Sequence, residues 1–270
     1  MTTPETKKKE AIRFERRDAV AWLFLDRPEA MNSMSPQMVR ELGEALDRIE
    51  SGAGLRAVVI TGSGCAFCAG ADLKTVKDLG GQAQREFATQ RFLDEAGALL
   101  RRIERLPLPV IAAVNGLALA GGLETVLVCD LVVASEDAKF GDAHAKYGLI
   151  PGWGGSVRLP RKIGANRAKQ MMFTAEHVPA RTMAEWGLVN QVVPAAQLHE
   201  AAQALCDRIT DKSPLGLRRM KQLVDDGLEQ PLDVALRAER TTVQAHQASR
   251  DRAEGLAAFA EKRAPRFDGT

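Results

Sequence analysis

Apolar and polar positions alternate along the first sixty residues in a pattern that predicts two strands, a helix and a third strand. Residues 12–16 and 19–25 have the period of β-strands joined by a tight turn. Ser35 and Pro36 provide an N-cap and a proline in the first helical position, and apolar residues follow at helical spacing. Residues 56–61 form a short β-branched run, which is typical of a buried parallel strand.

The middle of the chain repeats this order of strand, loop and helix. A helical segment over 83–105 ends before two prolines and is followed by the apolar strand Val110–Val114. A turn and a glycine pair then lead into a helix that begins at Gly122, and residues 131–134 and 138–140 have the pattern of short strands. The alternation of strands and helices predicts an α/β fold.

From Arg158 onward the pattern is almost entirely helical, apart from a strand-like run over 188–193. The helical segments are 165–173, 180–186, 195–211, 214–228 and 231–261. We therefore predict a flexible tail over residues 1–10, an α/β core over 11–200 and a helical region over 201–270. A late helical region of this kind packs either on a partner subunit or on the core of its own chain.

Charge and hydropathy argue against two classes of partner. The 270 residues include 37 Lys and Arg against 35 Asp and Glu, and these charges are scattered, so nothing indicates a nucleic-acid or membrane surface. The basic cluster Lys7–Lys9 has no apolar segment behind it, and no apolar run has the length of a membrane span. These features predict a cytoplasmic protein.

The cysteines and the loop over 62–72 do not match two common kinds of site. Cys65 and Cys68 form one C-x-x-C pair, but a zinc site needs a second pair, so we interpret the four cysteines as reduced structural thiols. The loop lacks the glycine spacing of either phosphate-binding motif, which argues against a nucleotide site. The loop nevertheless follows a strand directly, where open α/β folds bind their ligands.

Glu124 is the only ionisable residue in the apolar run 123–128, and it follows the glycine pair Gly121 and Gly122 closely. If these glycines open the helix, its first turn presents free backbone N–H groups that can hold an anion or a developing oxyanion. Glu124 is then either a catalytic group beside that charge or a capping carboxylate that only favours the helix dipole. This loop and the loop over 62–72 follow neighbouring strands, so their donors can converge on one ligand atom.

Four motifs together resemble the crotonase superfamily, which contains the enoyl-CoA hydratases and isomerases. The motifs are AFCAGADL (66–73), PVIAAVNGLALAGGLE (109–124), CDLVVASEDAKFG (129–141) and GLIPGWGGSVRLPRKIG (148–164). The resemblance covers residues from about 12 to 265. It implies a crotonase-like spiral of repeated ββα units and a C-terminal helical oligomerisation region over 201–270. It also implies a homotrimer or a dimer of trimers.

The resemblance also implies where an acyl-CoA thioester binds. The backbone N–H groups of Ala71 and Gly121 would form an oxyanion hole for the thioester carbonyl oxygen. Coenzyme A is part of the substrate, so no metal and no redox cofactor are expected. Its implied contacts are Arg27, Ala66, Cys68, Ala69, Asp72, Leu73 and Lys74, with Phe259 and Lys262 from a neighbouring subunit. For each charged residue of this set, an ordinary solvated side chain is the alternative interpretation.

The second catalytic residue is where this sequence departs from the family pattern. Hydratases of the family use two glutamates that share one water across the C2–C3 bond; the first corresponds to Glu124, whereas the second falls on His144. His144 either replaces that glutamate as general acid or base, or orients water or substrate while Glu124 alone moves the proton. The third alternative is a structural histidine, with Asp142 as the only acid or with no second acid in use. Asp142 lies two residues away, and an extended segment would bring both side chains to one face, which would raise the pKa of the imidazole and fix its tautomer.

Trp153 lies in the glycine-rich segment IPGWGG. It either lines the acyl pocket or is a buried aromatic residue at a turn. The predicted function is an enoyl-CoA hydratase-like lyase that adds water reversibly to a trans-2-enoyl-CoA. Two alternatives remain open: another enolate reaction of a CoA thioester, such as isomerisation, decarboxylation or hydrolysis, and a catalytically weak acyl-CoA-binding scaffold subunit.

Overall fold

Ten strands and ten helices are present in the part of the chain that the computed structural model describes, which is residues 10–72, 74 and 81–270. The strands are β1 (Ile12–Arg17), β2 (Val20–Leu25), β3 (Ala57–Gly62), β4 (Ala66–Cys68), β5 (Val110–Val114), β6 (Leu117–Leu119), β7 (Leu131–Ser135), β8 (Lys139–Gly141), β9 (Val178–Pro179) and β10 (Gln191–Val193). The helices are α1 (Pro36–Ser51), α2 (Gln82–Glu104), α3 (Gly121–Leu127), α4 (Gly155–Ile163), α5 (Ala165–Thr174), α6 (Ala180–Glu185), α7 (Leu198–Thr210), α8 (Pro214–Gly227), α9 (Leu232–Gln247) and α10 (Arg250–Glu261). Leu73 and most of the predicted N-terminal tail lie outside the described residues.

The strands form two sheets that share a repeated ββα order. The larger sheet has the order β1-β2-β3-β5-β7-β10, and its pairs are parallel except β1 with β2. The smaller sheet has the order β4-β6-β8-β9, with only β8 and β9 antiparallel. In three successive units the first strand joins the larger sheet, the second joins the smaller sheet and a helix follows. The α/β spiral of ββα units is therefore confirmed.

The central strands are buried on both faces, which explains their continuous apolar sequences. In β2, Ala21 and Leu23 pack into the main core with α1, whereas Val20 and Trp22 belong to a second apolar cluster on the other face. This second cluster is covered by Leu198 and other residues of α7. The period of two along a strand sends neighbouring side chains to opposite faces, so a strand between two apolar layers has no polar positions.

Three features of the fold differ from the sequence-based expectations. The short strands β4 and β6 fall where the sequence indicated a loop and a glycine turn. Helix α4 begins at Gly155, before Arg158, where the helical pattern of the sequence starts. The segment expected as one helix over 231–261 is two helices, because the Ser249 side chain accepts the N–H of Arg252 and caps a new helix there. The predicted boundary at residue 200 falls inside α7.

None of the helices in the described residues is both long and apolar enough to cross a membrane. The longest, α2, has 23 residues and carries charged side chains along its length.

Candidate active site

The turn after β5 fixes the smaller sheet against the larger one. The side-chain oxygen of Asn115 accepts the N–H of Gly62 at 3.0 Å, and its amide group donates to the carbonyl of Ala66 at 3.1 Å. Gly116 packs against the backbone just before β4, where an added Cβ would be 2.8 Å from the carbonyl carbon of Cys65. These contacts set β4 beside β6, so the loops that follow both strands emerge at the same edge.

Two backbone N–H groups lie free and close together at this edge. The N–H of Met34 donates to the carbonyl of Gly70, and the N–H of Asp72 donates to the carbonyl of Met34, each at 2.8 Å. The intervening residue Ala71 therefore directs its own N–H away from Met34, and no acceptor for it exists among the described residues. Gly121 is the first residue of α3, so its N–H has no partner within the helix. A Cβ on Gly70 would lie 3.4 Å from the Gly121 nitrogen, so the two amides are neighbours.

Residue Ala120 holds the start of α3 in an unusual backbone conformation. Its φ of 48° and ψ of −117° lie in a region that L-residues rarely adopt. The N–H of Ala120 donates to the carbonyl of Gly141 at 2.9 Å, and a Cβ on Gly122 would lie 2.8 Å from the carbonyl carbon of Cys68. The first turn of α3 is thus pressed between β4 and β8, and backbone strain of this kind persists where the surroundings enforce it.

Glu124 lies in the first turn of α3 and is 2% exposed. Its Oε1 atom accepts the N–H of Trp153 at 2.7 Å and the N–H of Gly155, the first residue of α4, at 2.8 Å. Its Oε2 atom has no hydrogen-bond partner among the described residues. Burial raises the pKa of Glu124, and the two backbone N–H groups offset this only in part. The carboxylate is therefore fixed by one oxygen and is a stronger base than a solvated glutamate.

His144 and Asp142 form a hydrogen-bonded pair after β8. The Nδ1 atom of His144 lies 3.1 Å from Oδ1 of Asp142, and the Asp142 carboxylate is almost fully buried. Burial by itself lowers the pKa of the imidazole. The hydrogen bond and negative charge of Asp142, together with the charge of Glu124, outweigh this effect and raise the pKa of His144.

Glu124 and His144 lie within electrostatic range of each other. The positive charge of His144 lowers the pKa of Glu124, and the negative charge of Glu124 raises that of His144, although neither is the largest effect on its partner. A buried carboxylate in the first turn of α3 thus interacts electrostatically with an imidazole, and the free N–H of Gly121 lies at the start of the same helix. Chemically, this arrangement can stabilise an oxyanion and exchange protons with the atoms next to it.

Trp153 forms one wall of this site. It is 4% exposed, its ring meets Phe92 of α2 edge to face at a centroid distance of 5.9 Å, and a Cβ on Gly121 would lie 2.6 Å from its Cε3 atom. Arg158 donates to the Trp153 carbonyl at 2.9 Å while it pairs with Glu104. The indole Nε1 is buried and has no acceptor among the described residues. Trp153 is therefore a buried aromatic residue beside Gly121, and its role in lining an acyl pocket stays a prediction.

The residues expected to contact coenzyme A in the same subunit are found in three different environments. Arg27 pairs with Asp72 at 2.9 Å and is half-buried, so these two charges neutralise each other. Ala66 and Cys68 lie within β4 and are 1% and 0% exposed, and their expected contact with coenzyme A stays a prediction. Ala69 is partly exposed and Lys74 is exposed. The expectation for Leu73 concerns a residue outside the described part of the chain.

The two residues expected from a neighbouring subunit lie on the surface at the end of α10. Phe259 is 85% exposed, and Lys262 terminates the helix in a left-handed conformation. No hydrogen bond or ring contact joins either side chain to the loop over 69–72 among the described residues. Within one chain, they are not brought to the site.

Several residues that build the site were not identified from the sequence. Asn115 acts through its side-chain amide in a turn, and the turn itself was the only available signal. Gly155 was not identified, and Trp153 was singled out only for its ring; both bind Glu124 through backbone N–H groups, which leave no trace in residue type. The signal that could have identified Gly155 is the glycine itself, because a Cβ on it would meet the Glu124 carboxylate at 3.2 Å.

Comparisons with known proteins agree over nearly the whole chain. A family model described as enoyl-CoA hydratase/isomerase matches residues 15–270. Crotonyl-CoA hydratase of Syntrophomonas wolfei is 36% identical over 259 residues, which cover 96% of this chain and 98% of that protein. The 1,2-epoxyphenylacetyl-CoA isomerase of Escherichia coli is 37% identical, with coverage of 93% and 95%. Relatives at this level of identity thus include both a hydratase and an isomerase.

Solved structures give the same result. The crystal structure of an enoyl-CoA hydratase from Bacillus anthracis has a TM-score of 0.91 at 36% identity, and the match covers 96% of this chain and 100% of that chain. The structure of DspI from Pseudomonas aeruginosa has a TM-score of 0.89 at 30% identity, with coverage of 98% and 100%.

Proposed function

The chain belongs to the enoyl-CoA hydratase/isomerase family, and we propose that it is a hydratase that adds water reversibly across the C2=C3 bond of a trans-2-enoyl-CoA. The observation that carries this proposal is the position of Glu124. Its carboxylate is buried, fixed through one oxygen and made more basic by burial, next to two unpaired backbone N–H groups. A hydratase needs a base for water beside donors for an enolate oxygen.

The proposed reaction begins when Oε2 of Glu124 takes a proton from water. The water oxygen then forms a bond to C3, the electron pair of the C2=C3 π bond moves between C1 and C2, and that of the C=O π bond moves onto the thioester oxygen. The N–H groups of Ala71 and Gly121 stabilise this enolate, and loss of one such donor costs about 10²–10³ in rate. C2 then takes a proton from His144. Glu124 releases its proton and His144 regains one through solvent, so the sum is the addition of one water.

His144 is proposed as the group that protonates C2. Its raised pKa keeps a larger fraction protonated near neutral pH than a solvated histidine has, which suits an acid. The electrostatic attraction between His144 and Glu124 supports a shared site. Of the three interpretations open at the sequence level, this geometry favours the general acid, because a buried carboxylate holds the ring and the ring remains 12% exposed.

A second candidate is isomerisation by the same enolate chemistry. Two observations favour this candidate. A relative named as an isomerase is as similar to this chain as those named as hydratases. In addition, His144 replaces the second glutamate of the family hydratases. Isomerisation would use Glu124 or His144 to move a proton between carbons, with no water added. The two reactions differ in the mass of the product.

We also propose a homotrimer or a dimer of trimers. Large apolar side chains are exposed along the last three helices, and such a patch usually marks an interface. They are Met220, Val224, Leu228, Leu232, Val234, Leu236, Val243, Leu256 and Phe259. In that assembly Phe259 and Lys262 would reach the coenzyme A of a neighbouring subunit, as the family resemblance implies. A cytoplasmic location stays a prediction from the sequence.

The test is to incubate the protein with a short and a long trans-2-enoyl-CoA in water enriched in ¹⁸O and to measure the mass of the product. Hydration predicts a product heavier by one labelled water, formed by the wild type and not by a Glu124→Gln variant. A product of unchanged mass with a shifted double bond would establish the isomerase. No product with either substrate would contradict both candidates.

A further inference from the structure

Asp142 and His144 form a closed local structure that includes two hydrogen bonds to a single oxygen atom. Oδ1 of Asp142 lies 3.1 Å from the imidazole Nδ1 of His144 and accepts the backbone N–H of the same residue at 3.3 Å. The intervening Ala143 has a φ of 58°, in the left-handed region that favours glycine. This unfavourable conformation turns the chain back so that one carboxylate oxygen reaches both atoms.

The surroundings of the pair isolate it from water. The side chain of Asp142 is 3% exposed and that of His144 is 12% exposed, so solvent has little access to compete for the hydrogen bond. A buried carboxylate is tolerated only when its oxygens are paired. The charge of Asp142 would be costly to bury alone, and its pairing with His144 offsets this cost and fixes the two side chains in place.

The chemistry of the two groups decides which ring nitrogen carries a proton. An ionised carboxylate only accepts hydrogen bonds, so Nδ1 of His144 must be the donor. In the neutral imidazole the second nitrogen, Nε2, is then an acceptor, and in the imidazolium it is a donor. Nε2 is the ring atom that Asp142 leaves available.

We propose that Asp142 is a positioning residue, which holds His144 through Nδ1 so that Nε2 is the atom that exchanges a proton with the substrate. This inference rests on the proposed function, in which His144 supplies the proton of C2. In the hydration direction the Nε2–H bond breaks as the C2–H bond forms, and the electron pair of the enolate becomes the C–H bond. Asp142 keeps its charge throughout and stabilises the imidazolium before the transfer.

Two carboxylates act on the imidazole in the described structure, and they come from different elements. Asp142 belongs to the segment of His144 itself, and Glu124 belongs to α3. Both favour the protonated ring. Only Asp142 makes a hydrogen bond to the ring among the described residues. Removal of Asp142 is therefore expected to change both the tautomer and the pKa of His144, whereas removal of Glu124 is expected to change only the pKa.

The first test reads the ring nitrogens directly and needs no substrate. The chain contains only four histidines, so ¹⁵N labelling of histidine gives a small set of ring signals, and a His144→Gln variant assigns those of His144. The expected wild-type result is that neutral His144 carries its proton on Nδ1. In Asp142→Asn the pKa of His144 should fall and the Nε2–H tautomer should appear. A wild-type His144 that is mainly Nε2–H would overturn the inference without use of any Asp142 variant.

The second test follows the pH dependence of hydration. In Asp142→Asn, kcat should fall about 10²-fold or more, as expected for a disturbed general acid, while KM changes little. The alkaline limb of kcat/KM, where His144 loses its proton, should move to lower pH. A matched control is Asp137→Asn, the same change at an exposed residue before β8, which should leave both quantities unchanged. A fall in kcat with an unmoved alkaline limb is what a merely structural role predicts, and it would overturn the inference.

The two tests separate this inference from the proposed function. If the protein hydrates no enoyl-CoA but Asp142→Asn still changes the tautomer and pKa of His144, the positioning role stands and the hydratase proposal fails. If the protein is a hydratase and His144 responds to Asp142 in neither test, the inference fails alone.

Discussion

Oε1 of Glu124 lies 2.8 Å from the backbone nitrogen of Gly155, the first residue of α4. The proposed base of one ββα unit is thus held by the N-terminus of the helix of the next unit. The contact uses the oxygen that the proposed reaction does not need, and Oε2 has no hydrogen-bond partner among the described residues. The contact also keeps the carboxylate of Glu124 buried, and a buried charge lowers the stability of the folded protein.

Replacement of Glu124 by Gln should stabilise the protein at alkaline pH. The pKa of Glu124 is raised in the folded protein, so the folded state binds this proton more tightly than the unfolded state does. At a pH above the pKa of Glu124 in the folded protein, the buried charge therefore lowers the free energy of unfolding. This cost disappears as the pH falls below the pKa of the glutamate in the unfolded chain, which is near 4.5. Each kcal/mol recovered raises Tm by about 2–4 °C in a chain of this size.

The measurement is the Tm of the wild type and of Glu124→Gln between pH 4 and pH 8. The variant should exceed the wild type by most at pH 8, and the difference should shrink toward pH 4. The control Glu44→Gln, at an exposed position of α1, should show no such trend. A difference that grows as the pH falls would have the wrong sign for a raised pKa.

Replacement of Gly121 by Ala should destabilise the protein and remove activity. Its Cβ would overlap Cζ3 of Trp153 and lie 2.6 Å from Cε3, so either the indole or the start of α3 must move. Overpacking of this kind costs about 1–3 kcal/mol in the free energy of unfolding. Denaturant unfolding measures the loss, and kcat/KM measures the displacement of the Gly121 N–H.

Gly97→Ala is the matched control, because it introduces the same methyl group toward the same indole. There the Cβ would be 3.7 Å from Cδ1 of Trp153, an ordinary contact, and removal of a glycine from the middle of α2 should stabilise by about 0.5–1 kcal/mol. In a Trp153→Ala background, Gly121→Ala should cost less stability than it does in the wild type. If both glycine variants lose the same stability, the close contact of Gly121 with Trp153 is not the cause of the loss.

Replacement of Ala120 by Gly should stabilise the protein, although glycine usually does the opposite. The φ of 48° at Ala120 stores strain of about 1–3 kcal/mol, whereas the extra freedom of glycine in the unfolded chain costs about 0.4–1 kcal/mol. The net expectation is a gain of about 1 kcal/mol in denaturant unfolding. Ala118→Gly, two residues earlier in β6, should lose stability. Equal losses in both variants would contradict the strained backbone at Ala120.

Replacement of Leu228 by Asp should weaken the proposed trimer. Leu228 is 80% exposed in the single chain, and burial of a leucine at an interface contributes about 1.5–3 kcal/mol, which is about 10-fold or more in the assembly constant. Mass photometry over a range of concentrations measures this shift. Ala53→Asp, which adds the same charge in an exposed turn after α1, should assemble as the wild type does. A wild type that is monomeric throughout would contradict the proposed assembly.

The sequence was sufficient for elements with a strong period and insufficient for those held by tertiary contacts. Ser35 and Pro36 predicted the start of α1, and the apolar run Val110–Val114 predicted β5 at its observed bounds. The strands β4 and β6 have three residues each, which is too short for a period to be recognised, and their pairing depends on Asn115 and Gly116.

The same division applies to the site. Glu124 was identified because a lone carboxylate in an apolar run is unusual, and the comparison of motifs singled out His144. The two hydrogen bonds to Oδ1 of Asp142 depend on the left-handed conformation of Ala143, which an alanine does not signal. The fixation of Glu124 depends on backbone N–H groups twenty-nine or more residues away, which every residue type except proline provides.

The most direct test of the central claim follows the loss of the conjugated-thioester absorbance of a trans-2-enoyl-CoA with the wild type, Glu124→Gln and His144→Ala, with Glu44→Gln as control. We predict that both site variants lose about 10²–10⁴ in kcat, the usual contribution of a general acid or base, while they still bind the CoA thioester. Wild-type turnover that survives in Glu124→Gln would contradict the assignment of Glu124 as the base for water.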